Sequence, residues 1–536
     1  MTENLPVLTI LPPLLAIVLV IATRKVLLSL GAGVLASALL VADLSPVPTL
    51  RLVWEAFAGI FWDEGAVNTY YVYILVFTLL LGMIAALIMM AGGSAAFADW
   101  ALERIGTRRG ATVLPAVLGI VIFIDDYFNA LAVGQVARPV TDRMHVARAK
   151  LAYIIDSTSA PVAVLAPFSS WGASIIGIMA PIVAGSALAV SDVEAFLGAA
   201  AMNYYAIAAV LLVWIVVVLQ LDVGPMRKEE RRAIAEGRTF DSSEEVPGEL
   251  AEDLPVHEPG AKRALVIPFL VLVAGVLGGI VWTGYQAGGS WAVLDVLANT
   301  AVTDALLYGG LLGLVTALYY YLRYTTSNPR FSTSTLGRGL WEGVRSMLPA
   351  VYILLLAWML GSLIAELGTG EYLGNLVERT ALPPAWLIPV MFVLAGAMAF
   401  STGTSWGSFG ILLPIAGQIM NTVEGGPELL LPAFGAVLAG AVWGDHCSPI
   451  SDTTILSSTG AGCNVITHVT TQLPYAVIGA LVALLGYVVF AITLSTWLGL
   501  LAVAAGLVVV AGLTKVAATR LEEEIPEAEQ ADVRQA

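Results

Sequence analysis

The sequence predicts an all-α integral membrane protein of about eleven transmembrane helices plus two re-entrant hairpins, arranged as inverted-topology repeats with interrupted helices. Three observations predict it. The chain is 58% hydrophobic and only 12% charged, with mean hydropathy +0.86, about half the charge of an ordinary soluble domain. Apolar segments of spanning length follow one another along its whole extent, and polar clusters interrupt a few of them. Short blocks of the first half also recur, in order, in the second.

The same composition removes several function classes. Lys+Arg 25 against Asp+Glu 40 gives a net charge of −15, which leaves no basic surface for nucleic acid. Two cysteines, Cys447 and Cys463, cannot build a disulfide framework or a cysteine-based metal site. No cofactor is expected.

A helix needs roughly 20 apolar residues to cross a bilayer. Segments of that kind lie near 6–23, 26–43, 68–91, 150–183, 197–220, 264–285, 301–322, 347–366, 431–463, 471–494 and 496–516. The first lacks a basic leader and a small-residue cleavage site, so it reads as a retained span. Two further segments, 111–137 and 386–421, carry Asp125-Asp126-Tyr127-Phe128-Asn129 and Ser401-Thr402-Gly403-Thr404-Ser405 at their middles, and are expected to be hairpins that re-enter the membrane. Loop charge agrees. With the N-terminus outside, the basic loops around 24–25, 104–109, 138–150, 222–263, 323–345 and 515–534 all face the cytoplasm, leaving Arg51 and Arg379 outside. Counting 111–137 as a full crossing would put 138–150 opposite 104–109 and spoil the bias. The expected orientation is N-terminus outside and C-terminus cytoplasmic. Residues 222–263, dense in charge and holding Pro247, Pro255 and Pro259, read as a solvated acidic cytoplasmic linker between one half (1–221) and the other (264–516). Residues 517–536 read as an acidic cytoplasmic tail.

The halves match in three blocks. Val72-Tyr73-Ile74-Leu75 recurs as Val351-Tyr352-Ile353-Leu354, and Leu81-Gly82 as Leu360-Gly361. Val117-Leu118 and Gly134 around the first polar cluster correspond to Val393-Leu394 and Gly410 around the second. Pro161, Ser169-Ser170 and Gly172-Ala173 correspond to Pro449, Ser457-Ser458 and Gly460-Ala461. Because 68–91 then runs inward and 347–366 outward, the repeats are inverted. Such repeats place a binding site near the bilayer midplane, where broken helices expose carbonyls to an ion rather than to lipid.

The broken helices, 150–183 and 431–463, carry the chemistry. One reads Asp156-Ser157-Thr158-Ser159-Ala160-Pro161 and the other Gly444-Asp445-His446-Cys447-Ser448-Pro449-Ile450-Ser451-Asp452-Thr453-Thr454. Proline removes a backbone donor and frees a carbonyl one turn back, beside hydroxyls and carboxylates. These hard oxygens suit Na⁺ or H⁺. An aspartate in a membrane segment is costly unless paired, protonated or ion-bound, which makes Asp125, Asp126, Asp156, Asp445 and Asp452 functional candidates. Asp156 and Asp452 lead as the coupling carboxylates and Asp126 follows; Asp125 and Asp445 also read as helix caps. His446 can hold a proton, or cap a helix, or bond Asp452. Asn129, Ser157, Thr158, Ser159, Thr402, Gly403, Thr404, Ser405, Ser448, Ser451 and Thr453 are the neutral ion-ligand candidates. Trp171 and Trp406, each in a serine-rich break, read as packing.

The run from Gly444 to Ser458 resembles the hallmark of the NhaC-type Na⁺/H⁺ antiporter family, and Ser401 to Ala416 resembles that family's second block. The likeness extends through Asp125–Asn129 and Asp156–Thr158 and covers roughly residues 65 to 500. It implies exchange of Na⁺ against H⁺ across the cell membrane, and kinship with the ion-transporter superfamily, whose paired hairpins and broken helices work by an elevator motion. The implied partners are Na⁺, H⁺ and the lipid bilayer, with a homodimer left open. The nearest alternative keeps the fold and changes the cargo to a small organic acid such as malate or lactate, or an amino acid. An anionic cargo favours an intramembrane Arg or Lys, and no span core contains one, although half-helix N-termini remain as anion sites. An enzyme is disfavoured, since no H-E-x-x-H occurs and Ser448 and His446 lie too close in sequence for a triad.

Overall fold

The structure is a computed structural model and describes residues 6–23, 25–63, 65–123, 126–167, 169–243, 254–369, 372, 383–422 and 425–517. Asp125, Arg24, Arg379 and the tail from 518 lie outside these residues. Apart from a two-stranded antiparallel pairing of Trp62–Asp63 with Ala66–Val67, the described elements are helical, as an almost uniformly apolar chain requires if it is to satisfy its own backbone.

The first half contains α1 (Leu11–Thr23), α2 (Val26–Val41), α3 (Pro46–Phe61), α4 (Thr69–Met90), α5 (Gly93–Leu102), α6 (Arg108–Val121), α7 (Asp126–Arg143), α8 (Arg148–Thr158), the single turn α9 (Ala160–Ala163), α10 (Ser170–Ala184), α11 (Asp192–Ala201) and α12 (Tyr204–Leu219). The linker contributes α13 (Pro225–Glu236). The second half contains α14 (Arg263–Gly288), α15 (Val293–Ala298), α16 (Val302–Thr325), α17 (Thr333–Glu366), α18 (Pro384–Thr402), α19 (Ser405–Thr422), α20 (Leu430–Cys447), α21 (Asp452–Ala461), α22 (Val465–Thr493) and α23 (Thr496–Ala517).

Among the described residues, eight helices are long and apolar enough to cross a bilayer: α4, α14, α16, α17, α18, α20, α22 and α23. Helices α11 and α12, bent by 57° at Met202-Asn203, make a ninth if they form one span. About eleven crossings are expected from sequence. The shortfall lies partly in α1 and α2, whose 13 and 16 residues rise only roughly 20 and 24 Å against a hydrocarbon core of about 30 Å.

The chain reverses between α6 and α7. Asn129 Nδ2 donates to the carbonyls of Gly119 (2.6 Å) and Ile122 (2.8 Å), whereas residues ten apart on one continuous helix would lie about 15 Å from each other. Between α18 and α19 the chain turns at Gly403, whose φ is +70°, and the two helices pack together. A Cβ on Gly403 would also stand 2.5 Å from the Ile450 carbonyl oxygen, so the break in the second interrupted helix crosses directly over this turn.

Residues 222–243 depart from the solvated linker read from sequence. Helix α13 buries Met226, Glu230, Ala233 and Ile234 and packs on α8 and α22. Glu230, with a fully buried side chain, accepts from Arg108 (2.5 Å) and the Ala147 N–H (2.7 Å), and it pairs with the equally buried Lys150 (3.3 Å), which also meets Asp222 at 2.8 Å. Burial alone would push the Glu230 carboxyl up, but Lys150, Arg108 and the Ala147 N–H hold it below the usual glutamate range. At Asp222 burial outweighs Lys150 and the carboxyl is raised. The charge density that suggests solvation is here internally compensated.

Candidate functional site

Helical geometry is interrupted once within 150–163 and again between 447 and 452. After Thr158 the chain leaves helix geometry at Ser159 (φ −85°, ψ −90°), makes the short turn α9 around Pro161, and restarts at α10, capped by the Ser169 side chain, which accepts from the Gly172 N–H. In the second half α20 stops at Cys447 and α21 starts at Asp452. Its cap is Ser451, which accepts from the Thr454 N–H at 3.3 Å. The sequence offers Asp445 for that role, but Asp445 lies within α20, two turns upstream, and its carboxylate is engaged elsewhere.

Helices α7 and α8 of one half pack against α21 and α22 of the other. Gly134 and Gly460 permit the tightest approach: a Cβ on Gly134 would stand 2.3 Å from the Gly460 carbonyl. This crossing brings three aspartates to the first turn of α21, where Thr453 and Thr454 between them serve all three. Asp452 is the first residue of that turn. Thr453 Oγ1 donates to Asp445 Oδ2 at 3.0 Å, while the Thr453 N–H donates to Asp452 Oδ1 at 2.9 Å. Thr454 Oγ1 lies 3.4 Å from Asp156 Oδ2. The helix N-terminus favours this gathering of negative charge.

Asp156 is buried with donors on every side. Gln472 Nε2 donates to its Oδ2 at 2.6 Å and Ser457 Oγ to its Oδ1 at 3.1 Å; His468 Nε2 lies 3.3 Å away and His446 Nε2 3.8 Å. His446 is not bonded to Asp452. Its ring bridges Ser157 Oγ (2.9 Å) and Tyr205 OH (2.7 Å), and its carbonyl accepts from Gln472 at 2.6 Å. Asp445, equally buried, also accepts from Ser405 Oγ at 3.0 Å. Asp452 is only half-buried; Tyr127 OH donates to its Oδ2 at 2.5 Å and Trp358 Nε1 at 3.4 Å. It faces a cavity of about 290 Å³ together with Thr402, Gly403, Thr404 and several aromatic rings. Among the described residues, no Lys or Arg pairs with Asp156, Asp445 or Asp452, and the buried oxygens Asp445 Oδ1, Gln472 Oε1 and Asn129 Oδ1 have no hydrogen-bond partner.

The other predicted residues divide. Ser451 Oγ meets Thr453 Oγ1 at 2.9 Å inside the cluster. Ser448 Oγ donates to the Phe400 carbonyl at 2.9 Å, tying the break to the end of α18. Thr402 Oγ1 folds back on its own helix, to the Met398 carbonyl at 3.0 Å, as Thr158 Oγ1 does to Ile154 (2.7 Å) and Ser159 Oγ to the Asp156 carbonyl (3.0 Å). Asn129 serves the α6–α7 turn. Asp126 stands apart from the cluster and accepts from Trp171 Nε1 at 2.9 Å; Trp171 in turn packs on Trp406 and Phe409 of the other half. His468, Gln472, Tyr205, Tyr127, Trp358, Thr454 and Ser457 were not singled out by sequence. His468 and Gln472, four apart on one face of an apolar helix, carried the one local signal that could have found them.

The arrangement is a largely buried carboxylate cluster, surrounded by hydroxyls and imidazoles and assembled from both halves, whose oxygens are of the kind that hold a proton or a hard cation. Among known proteins, the model of the Na⁺/H⁺ antiporter family matches residues 162–492. An uncharacterized protein of Haemophilus influenzae is 42% identical over 508 residues, 94% of each chain. A malate-2H⁺/Na⁺-lactate antiporter of Bacillus subtilis is 32% identical over 27% of this chain and 30% of its own. An uncharacterized Na⁺/H⁺ antiporter of H. influenzae is 32% identical over 28% of this chain and 31% of its own.

Proposed function

The chain belongs to the Na⁺/H⁺ antiporter family, and from that premise we propose that it is a secondary transporter exchanging Na⁺ for H⁺ across the cell membrane, the two ions competing for intramembrane carboxylates. The observation that carries the reading is the convergence of Asp156, Asp445 and Asp452 on the first turn of α21 with no Lys or Arg paired to them among the described residues. A carboxylate without a fixed cation partner is stable in a membrane interior only when a mobile cation or a proton compensates it. Na⁺ requires the ionised form and protonation expels Na⁺. If only the loaded or the protonated site crosses the barrier, exchange is obligatory.

Asp156 and Asp452 are the coupling groups in this reading, with Asp445 between them and ahead of Asp126, whose carboxylate is turned to Trp171. Ser157, Ser405, Ser451, Thr453 and the partnerless oxygens of Asp445 and Gln472 supply neutral and charged ligands; His446 and His468 beside Asp156 can relay the proton. The reversals between α6 and α7 and between α18 and α19 act as re-entrant tips, the two halves as inverted repeats that move as an elevator, with the N-terminus outside and the C-terminus cytoplasmic. Cation-dependent ΔpH dissipation in proteoliposomes tests this: Na⁺ alone collapses the gradient. A requirement for malate, lactate or an amino acid would keep the fold and replace the cargo.

A further inference from the structure

The cavity beside Asp452 is larger than a bare cation uses. It holds about 290 Å³, against the roughly 10–15 Å³ that admits one water. Five of its fourteen lining residues are aromatic: Tyr70, Tyr71, Tyr127, Trp358 and Trp406. Tyr70 is 48% exposed and Tyr127 7%, so the lining runs from surface to interior. The Tyr71 and Trp358 rings lie 4.7 Å apart and tilted by 43°, which makes a corner rather than a closed stack. Tyr127 and Trp358 direct their polar ends to Asp452, leaving their rings as wall. Among the described residues, none that lines it is Lys or Arg.

Hard oxygens suffice for Na⁺, and aromatic walls add nothing it needs. They do serve an ion that carries hydrocarbon, since a ring face attracts the cation while the apolar portion covers the ring. A carboxylate at the inner end takes the N–H groups in charge-assisted hydrogen bonds. An organic anion would meet Asp452 with no opposite charge to offset it.

We propose that this cavity binds a small primary alkylammonium ion, its N–H groups on Asp452 and its hydrocarbon between Tyr71, Tyr127, Trp358 and Trp406, in competition with Na⁺. The inference shares Asp452 with the antiporter reading and otherwise stands apart from it. The test is isothermal titration of the purified full chain with butylammonium as probe, malate and lactate as comparisons, with and without Na⁺. Variants are Tyr71→Phe, Tyr71→Leu and Trp358→Leu, the two ring deletions being read separately so that one misfolded variant leaves the other.

Saturable butylammonium binding is expected. It should weaken when Na⁺ is present, survive in Tyr71→Phe, and weaken about 2- to 30-fold in either leucine variant. Absence of saturable binding, indifference to Na⁺, indifference to both ring deletions, or malate or lactate binding in its place would each overturn the proposal. Na⁺-driven ΔpH dissipation by the same preparation separates the two readings. Exchange without butylammonium binding removes this inference alone, and butylammonium binding without exchange removes the antiporter reading alone.

Discussion

Gly134 and Gly410 occupy corresponding positions in the matched sequence blocks of the two halves, both inside helices, and they should respond differently to alanine. A Cβ on Gly134 would stand 2.3 Å from the carbonyl carbon and oxygen of Gly460, where ordinary contact begins at 3.4 Å. Both obstructing atoms are backbone, so no rotamer relieves them and α7 and α21 must part by about 1 Å. Overpacking of that kind costs about 1–3 kcal/mol, against the roughly 0.5–1 kcal/mol regained when a helical glycine becomes alanine. Packing wins, and Gly134→Ala should lose about 1–2 kcal/mol. A Cβ on Gly410 meets nothing within 4 Å, so Gly410→Ala keeps only the propensity gain. Thermal unfolding in detergent, followed through the chain's 13 tryptophans, should show a lower melting temperature for Gly134→Ala and an unchanged or higher one for Gly410→Ala. A Gly134→Ala protein that melts at or above the wild type would refute the reasoning.

Glu230→Ala leaves the buried Lys150 with Asp222 alone and the Ala147 N–H without its acceptor, a loss of about 3–5 kcal/mol. Amide exchange in 225–236 should accelerate roughly 10²–10⁴-fold, and unchanged exchange there would show that the ion cluster does not hold α13. Because Glu230 is held below its ordinary value, its contribution is complete above about pH 4.3 and is lost as pH falls through the lower folded value. Linker proteolysis should therefore rise only in acid, and a rise between pH 6 and 8 would contradict the assignment. Gln472→Leu removes the donor shared by Asp156 and the His446 carbonyl. That donor favours the ionised carboxylate Na⁺ needs, so the apparent KM for Na⁺ should rise by about tenfold or more at fixed pH; an unchanged KM would remove Asp156 from the ion path.

The breaks in α8–α10 and α20–α21 and the reversal near Asn129 were legible because proline and polar runs stand out against apolar sequence. The polar runs inside those breaks likewise mark Asp156 and Asp452 as intramembrane carboxylates. What remained hidden depends on contacts between the halves. Tyr127 meets Asp452 across 325 residues of chain, and no local pattern encodes that. His468 lies just ahead of the apolar segment 471–494, so hydropathy alone does not mark the buried imidazole beside Asp156. In α13 the charge count concealed an amphipathic spacing, with Met226, Glu230, Ala233 and Ile234 on one face. Charge read as solvation there because the compensating Lys150 lies on another helix.

In the proposed exchange Na⁺ and H⁺ compete for carboxylates gathered at the first turn of α21. Proteoliposomes holding the wild type, Asp156→Asn or Asp452→Asn test it most directly, through ΔpH dissipation on addition of Na⁺ and no organic solute. Dissipation by the wild type is expected, with its abolition in at least one of the two variants, each of which removes a charge and keeps the side-chain shape. Full Na⁺-driven dissipation in both variants would contradict it.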